Sequence, residues 1–531
     1  MLNRFLKRKP KNRPAGAFRP EFPKSTDELI DNRYKDSELI IALVGAAGTD
    51  LNSVTTIIKD QMTAFGYHCE NIRISKDILE EVGDIGKPKN DHDRILKSME
   101  AGNRLREQSG DNSFLALSAA AKINEIRTGD KDLAENLEPL KKTCFIIQSL
   151  KHPEEVQRLR NIYSPAFFLL GVHSEDKRRR EHLINKLRMD ERQAQEIMDK
   201  DYNEKEEHGQ HTSDTFHLSD FFISDDGNKD KLEKSIWRIL DLIFGSPFIT
   251  PTFDEYAMFM AFSASLRSAD LSRQVGAVIA RRKSILSTGA NDVPSPDGGL
   301  YWSYFDAESK QVMDVANGRD YKRGFDSNSQ EKAKIIEGIV AKLRSIDGLA
   351  PESIEPIIDI LKTSGIKDIT EYGRVVHAEM DALLSCARNN ISTKDATLYC
   401  TTFPCHNCAK HIITSGVKRV VFVQPYSKSR TLDFHSDSVS FSDGENPRGE
   451  KLVKFEPFIG VGPRNFLNLF SMNLGIGYPL ARKKADGSKI DWQRADSRIR
   501  MQLLPCSYIE RETYASNRTS ELLEIIYERK S

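Results

Sequence analysis

The chain has 531 residues, which is too long for one ordinary hydrophobic core and predicts two domains with smaller extensions. Lysine plus arginine and aspartate plus glutamate both number 78, so net charge gives no argument for a nucleic-acid, membrane or acidic partner. With 39% hydrophobic and 29% charged residues, and no apolar run near the roughly 18 residues that span a bilayer, the composition is typical of a soluble protein without a membrane partner.

The N-terminal residues 1–36 are basic and lack the apolar core and cleavage site of a secretory signal. They are predicted to form a flexible tail. The chain has seven cysteines, an odd number, which argues against a disulfide framework and for a reducing compartment. The sequence therefore predicts a cytoplasmic protein, in which a Cys-x-x-Cys pair is more often a metal or redox site.

The first predicted domain covers residues 37–248 and alternates strands with helices. A buried strand in SELIIALVGAAG leads through a glycine-bearing turn into the helix DLNSVTTIIKDQMTAFG, and further strands follow in YHCENIRIS, KKTCFIIQSL and PAFFLLGVH. Strands that alternate with helices of this length form a parallel α/β sheet. The charged segment DKRRREHLINKLRMDERQAQEIMDKD and the amphipathic KLEKSIWRILDLIFG are predicted helices, and GSPFITP marks the domain boundary.

The turn after the first strand resembles a phosphate-binding P-loop, and the domain resembles a P-loop kinase with a degenerate Walker A motif. Gly45 and Gly48 are the possible nucleotide-binding residues. A Walker A motif starting at Gly45 would place its lysine at Leu51, so the phosphate-clamping lysine is missing, and an acidic Asp50 would repel phosphate. Nucleotide hydrolysis, ligand sensing or partner binding, and a purely structural role all remain open for this domain.

The second predicted domain covers residues 249–480 and is an α/β/α sandwich. It begins with the helix DEYAMFMAFSASLRS and the strand hairpin GAVIARRKSILSTG. An ordered insertion with two predicted helices follows at 292–372, and its segments GGLYWSYFDAESKQ and GRDYKRGFDSNSQEK are candidates to cap a site or form subunit contacts. After the insertion come the helix HAEMDALLSCARNN, the strand ATLYCTT, the helix CHNCAKHIITSG and the strand RVVFVQP, and residues 481–531 form a charged C-terminal extension.

The residues with the clearest chemistry lie at the starts of two predicted helices after the insertion. Cys405 and Cys408 form a Cys-x-x-Cys pair, and with His377 they offer one imidazole and two sulfurs. Three protein ligands are typical of a catalytic zinc site, because the fourth position stays open for water. Glu379, two residues after His377, can reach that water and move its protons without binding the metal. This is the H-x-E with P-C-x-x-C signature of nucleobase deaminases.

Cys405 and Cys408 could instead form a redox pair or part of a structural zinc site, and each alternative predicts other features in the sequence. A redox Cys-x-x-Cys pair would follow the first strand of a thioredoxin-like pattern, which this sequence lacks. A structural zinc site could recruit Cys400, but Cys400 lies in an alternating strand where it is expected to pack as a small apolar residue. His406 and His411 are expected at the surface or in packing contacts.

The region from about 252 to 425 resembles the zinc-dependent cytidine and deoxycytidylate deaminase superfamily. The resemblance rests on SRQVGAVIA, STGANDVP, HAEMDALL, LYCTTFPCHNCAKHIITSGVKRVVF and the following PY, which occur in the family's order. The whole chain, with its P-loop-like N-terminal domain and long insertion, resembles the bacterial anti-phage dCTP deaminases. That resemblance implies Zn²⁺ as cofactor and deamination of deoxycytidine nucleotides, which depletes a pool that an infecting phage requires.

Residue by residue, the resemblance implies that His377, Cys405 and Cys408 bind zinc and that Glu379 is catalytic. The implied substrate-binding residues are Asn291 at the sugar, Ala378, Tyr426 at the border of the nucleotide pocket and, for phosphate, Lys428, Arg430 and Arg273. The resemblance also implies a homo-oligomer, dimer or hexamer, with a possible regulatory nucleotide or inhibitor. Two other functions stay open at the sequence level, a nucleic-acid-editing cytidine deaminase and a nucleotide-sensing defence scaffold.

Overall fold

The computed structural model describes residues 36–129, 139–203, 208–346, 350–369, 371–425, 429–503 and 505–528. These residues divide into two compact units, with the divisions after Thr252 and after Phe458. The first unit contains the chain before Phe253 and again from Ile459, and the second unit is Phe253–Phe458. The predicted basic tail, 1–36, lies almost entirely outside the described residues.

The first unit is built on a six-stranded sheet with the order β14-β5-β4-β1-β3-β2. The five strands before the second unit pair in parallel, as the alternation of strands and helices predicts, and β14 joins the edge in antiparallel fashion. Because both faces of a parallel sheet are covered, its central strands β1, β3 and β4 are mostly apolar, and β1 and β3 are buried at every residue, whereas the edge strand β2 is largely polar and partly exposed. The strands are β1 Leu39–Val44, β2 His68–Arg73, β3 Thr143–Gln148, β4 Phe167–His173, β5 Phe221–Ser224 and β14 Gly460–Val461.

Helices cover this sheet, and several have clear start signals. Asp50 caps the first helix by accepting the Ser53 N–H, and Asn90 caps α3 by accepting the Asp93 N–H. The charged segment after β4 forms two helices, α6 and α7, separated by a π-helical turn. The helices are α1 Leu51–Met62, α2 Leu79–Val82, α3 Asp91–Ser109, α4 Phe114–Thr128, α5 Pro153–Tyr163, α6 Asp176–Glu181, α7 Glu191–Asn203, α8 Thr212–Phe216, α9 Lys229–Ile243, α17 Phe466–Phe470 and α18 Pro505–Glu528.

The first unit includes residues that the sequence pattern places elsewhere. Residues 459–480 belong to it, although the sequence predicts them at the end of the second domain, because β14 pairs with β5 and Asn465 donates to the Asp220 carboxylate. The C-terminal extension contains the 24-residue helix α18, whose Leu522 and Ile526 are buried in the same core as the sheet. The C-terminal segment is thus part of the first unit's core.

The second unit has a six-stranded mixed sheet with the order β12-β13-β11-β10-β6-β7. The predicted hairpin is present as the antiparallel pair β6 and β7, and β10 runs antiparallel to β6 and parallel to β11. The strands are β6 Gly276–Arg281, β7 Ser284–Ala290, β10 Thr397–Thr402, β11 Arg419–Gln424, β12 Val439–Ser440 and β13 Val453–Pro457, with a separate hairpin of β8 Tyr304–Asp306 and β9 Gln311–Met313.

The second unit's helices include both helices predicted for the insertion. These are α12 and α13, so the insertion is ordered where the structure describes it. A backbone bridge between Asp292 and Val376 closes the insertion at its base and brings its two ends together. The helices are α10 Phe253–Ser265, α11 Asp320–Arg323, α12 Ser327–Arg344, α13 Ile354–Thr363, α14 Ala378–Arg388, α15 His406–Thr414 and α16 Thr431–His435.

Candidate metal centre

Three side chains of the second unit converge in one cluster. The Nδ1 atom of His377 lies 3.4 Å from the Cys405 sulfur and 3.3 Å from the Cys408 sulfur. All three ligand atoms lie within 4.8 Å of one another, and among the described residues no other group of three metal-ligating side chains meets that spacing. The structure therefore brings together the three residues that the sequence proposes as metal ligands.

Two helix N-termini hold these ligands in place. His377 is the N-cap of α14 and Cys405 is the N-cap of α15, both with extended backbone. Cys408 lies one helical turn after Cys405, so both sulfurs face the same point. Pro404 stands between the end of β10 and the start of α15, where its carbonyl accepts hydrogen bonds from Ser429 and Thr431. The partial positive charge of a helix N-terminus favours thiolate over thiol.

The protons of this cluster are unevenly distributed when no metal is bound. The hydrogen bond from Cys408, followed by that from His377, lowers the pKa of Cys405 to about 4. The hydrogen bond to Cys405 raises the pKa of His377 to about 9. The same Cys405 thiolate, together with burial, raises the pKa of Cys408 above its ordinary value. At neutral pH the metal-free cluster therefore has a thiolate at Cys405 and protons on His377 and Cys408.

Glu379 lies beside this cluster as the second residue of α14. Its side chain is buried, and burial raises the pKa of its carboxyl above the ordinary range. It lies close enough to the thiol of Cys408 to hydrogen bond with it. A raised pKa favours the protonated carboxyl, so this group can hold a proton between two transfers, which is what a proton shuttle requires.

The cluster opens into a cavity of about 200 Å³. Asn291, Arg273 and Ala378, all predicted to bind substrate, line this cavity with Glu379. The Asn291 amide accepts the Val275 N–H at 2.6 Å and donates to the Arg273 carbonyl at 2.9 Å, so it fixes the loop that carries Arg273. The bridge between Asp292 and Val376 explains why Asn291 lies near His377 although the insertion separates them in sequence.

The other residues predicted to bind the nucleotide are Tyr426, Lys428 and Arg430. Tyr426 and Lys428 lie outside the described residues and stay predictions. Arg430 is largely exposed, bonds to Asp433 at 3.3 Å and stacks over the Phe434 ring at 4.4 Å. It does not line the cavity. Among the described residues, Arg273 is therefore the predicted phosphate contact that the structure brings to the cavity.

Two lining residues come from the insertion, in one of the segments that the sequence offered as a candidate to cap a site or form subunit contacts. Asp326 and Asn328, at the start of α12, line the cavity. The capping signal of Asp326, which accepts the Asn328 and Ser329 N–H groups, predicts a helix start but not its position beside His377. These residues belong to GRDYKRGFDSNSQEK, one of the two segments named as candidates to cap a site, whereas the residues of GGLYWSYFDAESKQ do not line the cavity.

The remaining cysteine and histidines near the centre take other positions. Cys400 is fully buried in β10 and packs in the core of the second unit, and it is not part of the metal-ligating cluster. His406 lines the cavity and packs edge-on against Phe434, at 5.6 Å between ring centroids. His411 is exposed.

Gly45 and Gly48 lie in the first unit, in the loop between β1 and α1. Gly48 has φ +89°, a left-handed conformation that favours glycine. A Cβ atom there would lie 2.9 Å from the Arg179 carbonyl oxygen, so the chain after β4 approaches this loop closely. Whether the loop binds a nucleotide stays a prediction.

The region that contains the His377, Cys405 and Cys408 cluster is similar in sequence to known proteins. A family model, "Cytidine and deoxycytidylate deaminase zinc-binding region", matches residues 251–424. The deoxycytidylate deaminase of Enterobacteria phage T4 is 30% identical over 171 residues, which are 32% of this chain and 77% of that protein. This chain belongs to the cytidine and deoxycytidylate deaminase family. The human (Homo sapiens) deoxycytidylate deaminase is 33% identical to this deaminase over 104 residues, 19% of this chain and 57% of that protein.

The donor set of this deaminase fits zinc. One imidazole nitrogen and two sulfurs, with His377 and Cys405 at the cavity wall, are the three protein ligands of a catalytic zinc site, and thiolate sulfur selects zinc over magnesium or calcium. The cofactor is Zn²⁺, and His377, Cys405 and Cys408 are the residues able to hold it. Within the described residues, no helix is both long and apolar enough to cross a membrane.

Proposed function

We propose that this deaminase hydrolyses the amino group at C4 of deoxycytidine nucleotides, converting dCMP, dCTP or both to the deoxyuridine nucleotide and ammonia. The observation that carries the proposal is the buried Glu379 carboxyl beside the His377, Cys405 and Cys408 cluster at the wall of a cavity. The phage T4 and human relatives are deoxycytidylate deaminases, which supports deoxycytidine nucleotides as the substrate class.

Glu379 is assigned the proton transfers. Bound at this centre, Zn²⁺ supplies Lewis acidity that activates water at neutral pH. Glu379 accepts a proton from the water that attacks C4, and passes protons to ring nitrogen N3 and to the departing amino nitrogen. Water and the cytosine ring thereby become a uracil ring and ammonia, with no other reactant. The raised pKa of the Glu379 carboxyl suits this role, because the group must hold a proton between the two transfers.

Binding and orientation of the nucleotide are assigned to the cavity walls. Asn291 and Ala378 lie where they can position the sugar and the ring, and Arg273 is the candidate for phosphate. Tyr426 and Lys428 are proposed to complete the pocket. Exclusion of bulk water is supported by the burial of Ala378 and Glu379.

The cellular role proposed for this activity is antiviral. The support is the resemblance of the whole chain to bacterial anti-phage dCTP deaminases, in which loss of the deoxycytidine nucleotide pool starves phage replication. Cells that express the native chain should have a smaller dCTP pool after infection than cells that express Glu379→Ala. Equal pools in the two strains during infection would refute the role.

Ammonia release tests the proposed reaction. Purified protein is incubated with dCMP, dCTP, CMP and single-stranded DNA, beside the Glu379→Ala variant. We expect release from dCMP, dCTP or both, and little from CMP or DNA. Release from DNA in preference to free nucleotides would favour nucleic-acid editing, and native protein as inert as Glu379→Ala on every substrate would end the enzyme hypothesis.

A further inference from the structure

The loop after β1 in the first unit binds the side-chain carboxylate of Asp201, a residue from a later helix of the same chain. This loop runs from Gly45 to Asp50 at the carboxyl end of a central strand, the edge at which open α/β sheets bind ligands. Loops of this kind, followed by a helix N-terminus, usually bind phosphate through backbone N–H groups. Here the N–H of Ala47 donates instead to the Asp201 carboxylate on α7, at 2.8 Å.

A lysine balances the charge of that carboxylate. Lys151 Nζ donates to Asp201 at 2.9 Å and to the Gly45 carbonyl at 3.0 Å. The Thr212 hydroxyl donates to the same Asp201 oxygen at 3.1 Å. Asp201 is thus surrounded by a backbone N–H, an ammonium and a hydroxyl, which are the donors that a phosphate would need, and its side chain is only 4% exposed.

The chain after β4 covers the loop from the other side. Arg179 donates to the Ala47 carbonyl at 2.9 Å, and its own carbonyl oxygen stands where a Cβ on Gly48 would clash. Lys186 pairs with Asp50 at 2.8 Å, and Asp50 already caps α1. A phosphate group would have to displace the buried Asp201 and approach the acidic Asp50.

We propose that Asp201 occupies the phosphate position of the Gly45–Asp50 loop, so that this loop binds no nucleotide phosphate in the native chain. The first unit is then not a nucleotide-dependent kinase or hydrolase at this loop, in contrast to the P-loop resemblance of its sequence. Lys151 takes the place of the missing Walker A lysine, but its partner is a carboxylate of the protein. The inference concerns the first unit and does not depend on the proposed deaminase activity.

Chemical rescue tests this assignment. In Asp201→Gly, the vacated position keeps the Ala47 N–H, Lys151 and Thr212, and should accept formate or inorganic phosphate. The matched control is Asp199→Gly, an exposed position on the same helix. Thermal unfolding is measured for the full-length native chain and both variants with increasing formate or phosphate. We expect the melting temperature of Asp201→Gly to rise with either anion by more than that of the other two proteins.

The controls separate this loop from any other anion site. Phosphate bound in the deaminase cavity would shift all three proteins alike. Equal shifts in the three proteins, or no shift in Asp201→Gly, would overturn the assignment. ATP binding by the native chain that is lost in Lys151→Met would also overturn it, because that nucleotide would then occupy the loop.

A second set of variants applies if Asp201→Gly does not fold. Asp201→Asn and Lys151→Met are made singly and together, and their melting temperatures are compared. If the carboxylate and the ammonium compensate each other in the loop, the double variant loses much less than the sum of the single losses. Additive losses would refute the pairing on which the assignment rests.

Discussion

Arg273 and Asn291 both line the cavity, and different roles in substrate binding are proposed for them. The Asn291 amide holds the backbone of the loop through Val275 and Arg273, and Arg273 itself is an exposed residue that lines the cavity. Asn291 is therefore proposed to act on substrate binding through the loop as well as by any contact of its own. Arg273 is positioned to act by charge.

Replacing Arg273 tests its proposed contact with phosphate. A hydrogen bond to a charged group contributes about 1.5–3 kcal/mol, so Arg273→Ala should raise KM for the nucleotide roughly 10- to 100-fold and leave kcat nearly unchanged. Steady-state kinetics measure both constants. The matched control is Arg281→Ala at the far end of β6, which contacts the Lys394 carbonyl and does not line the cavity. An unchanged KM in Arg273→Ala would remove this residue from the substrate site.

The proton distribution of the metal-free cluster predicts a proton count for zinc binding. Zinc needs neutral His377 and two thiolates. At pH 7.5, His377, with a pKa of about 9, and Cys408, with a raised pKa, are protonated, whereas Cys405, with a pKa of about 4, is not. Zinc binding should therefore release about two protons. Titration calorimetry in buffers of different ionisation enthalpy measures this number, and release of no protons would contradict the assigned charges.

At the scale of elements, the centre depends on how closely α14 approaches β7. A Cβ atom on Gly289 would lie 2.2 Å from the Ala378 carbonyl oxygen and 2.5 Å from the Ala382 nitrogen, so only glycine allows this approach. Ser287 also donates to the Ala382 carbonyl. Because α14 carries Glu379 near its start and His377 as its N-cap, this contact sets the position of both.

Gly289→Ala should therefore damage the site through the backbone. The added methyl group forces β7 and α14 apart, and we expect a lower melting temperature, weaker zinc retention and lower turnover. Gly338→Ala is the control, since Gly338 is exposed in α12 with nothing within 4 Å of an added Cβ. That change should stabilise by about 0.5–1 kcal/mol through helix propensity and leave zinc content unaltered. Full zinc content in Gly289→Ala would contradict this role for the contact.

Elements with strong local patterns could be predicted from the sequence, and long-range pairings could not. The apolar run of β1, the hairpin of β6 and β7, and the helix after Pro404 each have a pattern within a few residues. The strand β14 is only two residues long and exists because it pairs with β5, more than 200 residues away in the chain. The spacing of Cys405 and Cys408 is a local pattern and indicates a metal site. The position of Asp326 at the cavity is a long-range feature, because it depends on how the insertion folds.

The position of Asp201 also depends on long-range folding and could not be predicted from the local sequence. The sequence of the loop after β1 indicates a phosphate site that lacks its lysine, and Lys151 and Asp201 lie far from it in the chain. Only the folded first unit places both at the loop. A charged helix such as α7 gives no local sign that one of its carboxylates is buried.

At the scale of the whole molecule, the chain leaves the first unit at Thr252 and returns to it at Ile459. The returning segment is linked to β1 and α4 of the first unit by a fully buried group of charges. Arg127 on α4 bonds to Glu38 beside β1 and to Glu512 on α18, and all three side chains are inaccessible to solvent. The core of the first unit therefore combines charged residues from segments before and after the second unit in the chain.

Removing the central arginine should destabilise that unit. Arg127→Met leaves Glu38 and Glu512 buried without their cation, at a cost of about 3–5 kcal/mol in free energy of unfolding. Denaturant unfolding followed by tryptophan fluorescence, to which Trp237 and Trp492 of the first unit contribute, measures the loss. Arg518→Met on the same helix as Glu512 is the control, because Arg518 is half exposed and pairs with Glu521 one turn away. Equal stability of Arg127→Met and the native chain would contradict the role of the buried group.

The product formed in ¹⁸O-labelled water tests whether the protein deaminates deoxycytidine nucleotides by hydrolysis. Zinc-loaded native protein and Glu379→Gln are incubated with dCMP and with dCTP, and the nucleotides are analysed by mass spectrometry. We expect a deoxyuridine nucleotide with one ¹⁸O atom at C4 from the native protein, and a rate about 10²- to 10⁴-fold lower from Glu379→Gln at equal zinc content. No labelled product from either nucleotide, or equal rates from the two proteins, would contradict this expectation.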